Sequence, residues 1–179
     1  MKILIIGTTN SPVLDVAKGL QAANDDLQIA PVFTTDLKMK GKVGESVYYM
    51  ANEEVELAYK NNAFMWVHTK DHYSTGVTKP DMYSSSLFTM SFGDFNNISN
   101  PVMQELAKDD DCVLVVIDMS AGKKDKDELM EANAAFERIY EHPYLYFLDE
   151  KPASIIDCIL KYIGSTAEER EKIEESLNN

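Results

Sequence analysis

Lys2-Ile3-Leu4-Ile5-Ile6-Gly7-Thr8-Thr9-Asn10-Ser11-Pro12-Val13-Leu14 opens the chain, and its reading decides the fold. Residues 3–6 form an unbroken aliphatic run closed by glycine, the pattern of a strand buried on both faces. Thr8–Ser11 is a polar turn. Ser11 is placed as an N-cap with Pro12 at the first helical position, where a missing N–H costs nothing. Val13, Val16, Ala17 and Leu20 then recur at helical spacing, so a helix runs to about Asn24. Buried strand, tight polar turn and amphipathic helix make the opening unit of a parallel α/β sheet. Such sheets place ligands at the carboxyl ends of their strands.

Outward from this unit, strands and helices alternate. Gln28–Phe33 reads as a strand and Thr34–Ser46 as a loop carrying lysines and glycines. Val47–Met50 is a short strand, and Asn52 caps a helix that ends near Asn61–Asn62. Phe64–Thr69 and Tyr73–Thr78 flank a turn and predict a hairpin. Lys79–Asn100 has no clear periodicity, with a helix placed in its first half. Pro101–Lys108 predicts a helix, Asp109–Asp111 a turn and Cys112–Ile117 the strongest strand of the chain. Asp125–Tyr140, Pro152–Ile163 and Glu168–Leu177 predict helices, with a strand at Tyr144–Leu148. Gly164 stops one helix, and Ser165 or Thr166 caps the next. The expectation is one α/β domain over 1–179, three-layered with a mostly parallel central sheet. Residues 34–78 form a small inserted mixed sub-domain, and 151–178 a pair of C-terminal helices.

The chain has 179 residues and a formal net charge of −13, so nucleic acid and anionic membrane surfaces are excluded as expected partners. No apolar run approaches the ~20 residues that a membrane span needs. The first strand starts at Lys2, so no signal or transit segment is expected, and the location expected is cytoplasmic. Cys112 and Cys158 stand in no metal-ligand spacing and read as buried free thiols. His68 and His72 lack a third ligand in sequence, so no zinc site is expected. Of the 17 basic side chains, Arg138 and Arg170 alone are arginine, the residue best shaped to clamp phosphate.

In order along the chain, several short stretches resemble guanylate kinases. Thr34-Thr35, the lysines after them and Gly44-Glu45 resemble that family's arginine-bearing Thr-Thr loop. Val47-Tyr48-Tyr49-Met50 with Asn52-Glu53-Glu54-Val55 is similar to its next strand and helix. Lys60–Phe64, His72-Tyr73-Ser74-Thr75 and Val116-Ile117-Asp118-Met119 resemble its later motifs. Tyr144–Leu148 and the helices after it resemble its late strand and lid. The resemblance implies the P-loop nucleoside monophosphate kinase fold, with a sub-domain that holds GMP. By that resemblance the nucleotide-binding candidates are Thr34, Lys38, Tyr49, Tyr73, Thr75 and Asp118. Tyr48 or Tyr49 fits one phosphate-holding position, depending on register.

Three departures bear on chemistry. A P-loop needs G-x-x-x-x-G-K-[ST], whose backbone amides, lysine and hydroxyl hold phosphates and Mg²⁺. Here Gly7, Thr8, Thr9, Asn10 and Ser11 remain as a degenerate phosphate loop. Pro12 stands at the second glycine, Val13 at the lysine and Leu14 at the hydroxyl. Lys18, one helical turn on, is the nearest cation that could reach back. Asp36 replaces the first loop arginine, and Trp66 stands where the family has a guanine-reading glutamate. Each candidate also has a plain structural reading: the tyrosines as half-buried strand aromatics, Asp118 as a loop cap, Thr8–Ser11 as an N-cap cluster. The expectation is a guanylate-kinase-like protein that has lost ATP-dependent phosphoryl transfer. It acts by binding a nucleoside monophosphate or a protein partner. The alternative is an active guanylate-type kinase with an atypical phosphate loop, which alone would require ATP and Mg²⁺ as cofactors. No catalytic residue and no metal ligand is assigned.

Overall fold

The computed structural model of the chain describes residues 1–8, 11–42, 46–70, 72–96, 112–119, 134 and 144–178. Thr9, Asn10, Gly44, Glu45, the turn at 109–111, the helix expected at 101–108 and, apart from Ala134, the helix expected at 125–140 lie outside the described residues. In chain order the described elements begin with β1 (Lys2–Gly7), α1 (Val13–Ala23), β2 (Val32–Thr34) and β3 (Val47–Tyr49). Next come α2 (Asn52–Lys60), β4 (Phe64–Lys70), β5 (Tyr73–Thr78), α3 (Lys79–Ser84) and β6 (Leu87–Ser91). The last are β7 (Cys112–Asp118), β8 (Tyr144–Leu148), α4 (Pro152–Gly164) and α5 (Ala167–Asn178).

The central sheet has the order β6-β1-β7-β8, and every pairing in it is parallel. Ile3, Leu4, Ile5 and Ile6 are wholly shielded from solvent, because the sheet is covered on both faces. Burial of side chains of this size contributes about 2 kcal/mol each before chain entropy is counted. On one face Ile3, Ile5 and Val115 pack against α1, α4 and α5 through Val16, Leu20, Ile155, Ile159 and Leu177. On the other, Leu4, Ile6, Leu114 and Val116 meet Phe92 and Phe95 of the helical turn 92–96. Trp66 and Val77 of a second sheet complete that layer. This is the expected α/β architecture, a mostly parallel central sheet accompanied by a mixed one.

The second sheet has the order β3-β2-β5-β4, with β2 and β3 parallel and the other pairings antiparallel. The strand expected at Gln28–Phe33 is divided between the two sheets. Ile29 bridges Leu87 of the central sheet, and β2 begins at Val32 in the second. Pro31 lies at the break, where it has no N–H to give either ladder. The unassigned stretch Lys79–Asn100 contains α3 in its first part and then β6, which pairs with β1 from Ile3↔Leu87 to Gly7↔Ser91. Two caps differ from expectation. Pro12, not Ser11, precedes α1, because the Ser11 hydroxyl turns back to the Thr8 carbonyl at 2.6 Å. Ala51, not Asn52, precedes α2, where the Glu54 carboxylate accepts the Ala51 N–H at 2.7 Å.

No described helix is long and apolar enough to cross a membrane. Both cysteines are free and half-buried. Arg170 on α5 ties the two C-terminal helices together. Its Nε and one terminal nitrogen donate to the carbonyls of Tyr162 and Ile163, each at 3.0 Å. A cation on the last carbonyls of α4 satisfies orphan acceptors and complements the helix dipole. Its guanidinium also stacks 5.3 Å from the Tyr162 ring centre, and the Tyr162 hydroxyl donates to Glu174. Replacing Arg170 by methionine keeps much of the packing and removes the donors. The expected outcome is a loss of about 1–2 kcal/mol in urea denaturation, with an unchanged far-ultraviolet spectrum.

Candidate functional site

Three segments converge at the carboxyl end of the central sheet: the turn after β1, the end of β6 and one face of the second sheet. The turn is tight because Gly7 has no side chain. A Cβ there would lie 2.6 Å from the Ile117 carbonyl oxygen and 2.9 Å from Val13 Cγ2. The Thr8 N–H donates to the Ile117 carbonyl at 3.3 Å. The Thr8 carbonyl accepts the Ser11 N–H at 2.8 Å as well as the Ser11 hydroxyl. Val13 is buried in the helix-side core, whereas Lys18 is exposed and lines a different groove with Gln21 and Gln28.

A cleft of about 230 Å³ opens beside this turn. Thr8, Ser11, Val13 and Leu14 form one wall, and Thr89, Met90 and Ser91 of β6 another. Val32, Ser46 and Val47 close it from the second sheet. Five of these residues are Ser or Thr and five are apolar, and none of them carries a charge. Thr8 is 3% exposed, and its Oγ1 is buried without a hydrogen-bond partner among the described residues.

Strand register carries the site onward. Tyr49 pairs with Thr34, Thr34 with Thr75, and Thr75 with His68. Directly paired residues share a face of a sheet, and alternate residues of a strand return to it. The row Tyr49–Thr34–Thr75–His68 therefore shares its face with Val32, Trp66 and Val77, which pack toward the central sheet. Tyr73, two residues before Thr75, lies on that face at its outer end. The structure thus brings Thr34, Tyr49, Tyr73 and Thr75 to one face, continuous with the Val32–Val47 wall of the cleft. Trp66 is 8% exposed in the core beneath them.

The two tyrosines of β3 part company. Tyr48 faces away, and its hydroxyl donates to the Asp81 carboxylate at 3.1 Å, which also accepts the Thr78 hydroxyl at 2.6 Å. Tyr49 lies under Lys40, whose Nζ is 5.8 Å from the ring centre. Lys38 is exposed on the single 3-10 turn Leu37–Met39, and its backbone N–H donates to the Asp36 carboxylate at 3.0 Å. Asp118 ends β7 and is 6% exposed, with Tyr146 donating to its Oδ2 at 3.0 Å. The core strand that follows the second sheet is β6, and β1 separates it from β7. Asp118 therefore ends a different strand from the one that follows the second sheet in the chain.

Sequence reasoning missed a cluster at the end of β6. His68 Nδ1 lies 3.0 Å from Asp94 Oδ1, and Asp94 Oδ2 accepts the Ser91 hydroxyl at 2.8 Å. The Asp94 N–H donates back to Ser91 Oγ at 3.0 Å. Ser91-x-x-Asp94 is a helix-start pattern that could have been found in the unassigned stretch. Its link to His68 could not, because the partners are 26 residues apart. Among the described residues, no group of three or more metal-ligating side chains comes together.

Burial, reinforced by a neighbouring carboxylate, raises the hydroxyl pKa of Tyr48 beside Asp81 and of Tyr146 beside Asp118. A raised phenol holds its proton in the folded chain where the unfolded chain has released it. Stability from these groups is therefore complete below the unfolded value of 10.0 and is lost as pH rises above it. Urea denaturation is expected to show falling stability above about pH 10, with a shallower fall in Tyr48→Phe and in Tyr146→Phe.

No family model matches the chain, and no curated protein matches it. Among solved structures, the guanylate kinase from Anaplasma phagocytophilum superposes with a TM-score of 0.55 at 15% identity. The match covers 90% of this chain and 84% of that one. At that identity the likeness speaks for architecture, and the chain has a guanylate-kinase-like α/β fold.

Proposed function

We propose that this guanylate-kinase-like fold has lost ATP-dependent phosphoryl transfer and works by binding a nucleotide or a protein partner. The observation that supports it most is the uncharged wall of the cleft beside the turn after β1. Phosphoryl transfer depends on backbone amides, a lysine and a metal held by a hydroxyl, all aimed at one anion. At the corresponding positions Pro12 has no N–H, Val13 is packed into the core and Leu14 is aliphatic. Losing one such preorganised contact commonly costs about 3 kcal/mol of transition-state stabilisation, and three are missing together. Arg170 is engaged at the end of α4, and the Asp36 carboxylate caps the Leu37–Met39 turn.

The retained groups are Thr34, Tyr49, Tyr73 and Thr75 on one face, Lys38 at its margin and Asp118 beyond β1. They suit recognition better than transfer, since they offer hydroxyls and rings rather than a concentration of positive charge. A coupled assay for ADP release tests the reading, with ATP, Mg²⁺ and GMP, dGMP or another monophosphate. The expected result is no turnover above background. A rate of about 1 s⁻¹ or more, ordinary for an enzyme, would establish the active kinase with an atypical phosphate loop.

A further inference from the structure

We infer that His68 reads a ligand held on the second sheet, its Nε2 accepting a hydrogen bond from an amino group on the base of a nucleoside monophosphate. The inference deepens the binding reading above and rests on it. His68 is paired directly with Thr75, in the row that also holds Thr34 and Tyr49. Its Nδ1 lies 3.0 Å from Asp94 Oδ1. A carboxylate can only accept, so in the neutral ring Nδ1 carries the proton and Nε2 the lone pair. Asp94 is itself held at the end of β6, where its Oδ2 accepts the Ser91 hydroxyl at 2.8 Å and its N–H donates to Ser91 Oγ at 3.0 Å. A tie between the second sheet and this turn needs Nδ1 alone. Nε2 has no hydrogen-bond partner among the described residues, and the side chain is 23% exposed.

The second observation is a difference between the two faces of this sheet. On the face turned from the central sheet the polar side chains pair with one another. Tyr48 and Thr78 share the Asp81 carboxylate, and the hydroxyls of Thr69 and Ser74 lie 2.9 Å apart. On the face of the row, the hydroxyls of Tyr49, Tyr73 and Thr75 make no hydrogen bond among the described residues. With His68 Nε2 they are four half-buried groups on neighbouring strands, and directly paired side chains start about 5 Å apart. Of the four, Nε2 is the one whose sense is fixed, because a hydroxyl both donates and accepts. A fixed acceptor attracts an N–H and repels a carbonyl oxygen at the same place. It therefore selects an amino-bearing base over its keto counterpart.

Long-range proton–nitrogen spectra of the imidazole rings test the inference, recorded on the full chain at about pH 8.5, above the ordinary range of imidazole titration. His68 is expected as the Nδ1–H tautomer before any ligand is added. The chain is then titrated with AMP, CMP and GMP, whose bases carry an amino group, and with IMP and UMP, whose bases do not. At least one amino-bearing probe should bind saturably and move the Nε2 resonance. Its counterpart, IMP for AMP or GMP and UMP for CMP, should bind about tenfold more weakly or worse, the effect of one lost hydrogen bond. His68→Phe should abolish that preference, and His68→Gln, which keeps an acceptor in its amide oxygen, should retain part of it. Asp94→Asn tests the positioning role. An amide both donates and accepts, so the Nε2–H tautomer should rise and the preference fall, with backbone amide shifts away from the turn unchanged. An Nε2–H tautomer in the free chain would overturn the inference, as would silence with all five probes. So would a keto base bound as tightly as its amino counterpart, or a preference that survives His68→Phe. The coupled kinase assay separates the two failures: any of these results without turnover removes this inference alone, whereas turnover removes the reading beneath it.

Discussion

β1 is hydrogen-bonded along both edges, to β6 from Ile3↔Leu87 and to β7 from Lys2↔Cys112, and ends at Gly7 where no side chain fits. Everything that defines the cleft follows from that constraint. Parallel pairing on both sides brings the ends of β6 and β7 level with the turn after β1, so Ser91 and Ile117 both lie opposite Gly7. The close approach at Gly7 lets the Thr8 N–H reach the Ile117 carbonyl and folds Ser11 back onto Thr8. α1 then starts with Val13 driven into the core rather than with a charged side chain at the sheet's edge. Thr8 and Ser11 are tied by hydrogen bonds, and the described wall beside them is uncharged.

Much of the fold was legible because its strongest signals are local. Residues 3–6 and 113–117 are continuous aliphatic runs, and Val13, Val16 and Leu20 keep helical spacing. Two features were not local. The sheet change within Gln28–Phe33 depends on what each half meets: Ile29 finds Leu87, and Phe33 finds Tyr48 and Gly76. β6 was hidden because Leu87-Phe88-Thr89-Met90-Ser91 is short and mixed, follows a serine run and takes its identity from pairing with β1. Cys112–Asp118 is in turn separated from β6 by β1 in the central sheet.

The candidate residues divide in the same way between local and non-local signals. Thr34, Tyr49, Tyr73 and Thr75 stand in short local motifs, and strand register brings them to one face. Alternation along β3 separates Tyr49 from Tyr48, a choice the sequence alone left open. His68 and Asp94 come from different sheets and meet only in three dimensions. The orphan Thr8 hydroxyl is a fact of packing that no sequence pattern announces.

The chemistry turns on charge at one place. A fold of this kind can keep its layers and its strand order while the groups that neutralise a phosphate disappear, since those groups contribute little to the core. Isothermal titration of the full chain with ATP in the presence of Mg²⁺ addresses this most directly, because it asks whether the turn after β1 holds a polyphosphate at all. The account predicts no saturable heat up to millimolar ATP. Saturable binding with a Kd in the micromolar range, about −8 kcal/mol of binding free energy, would contradict it.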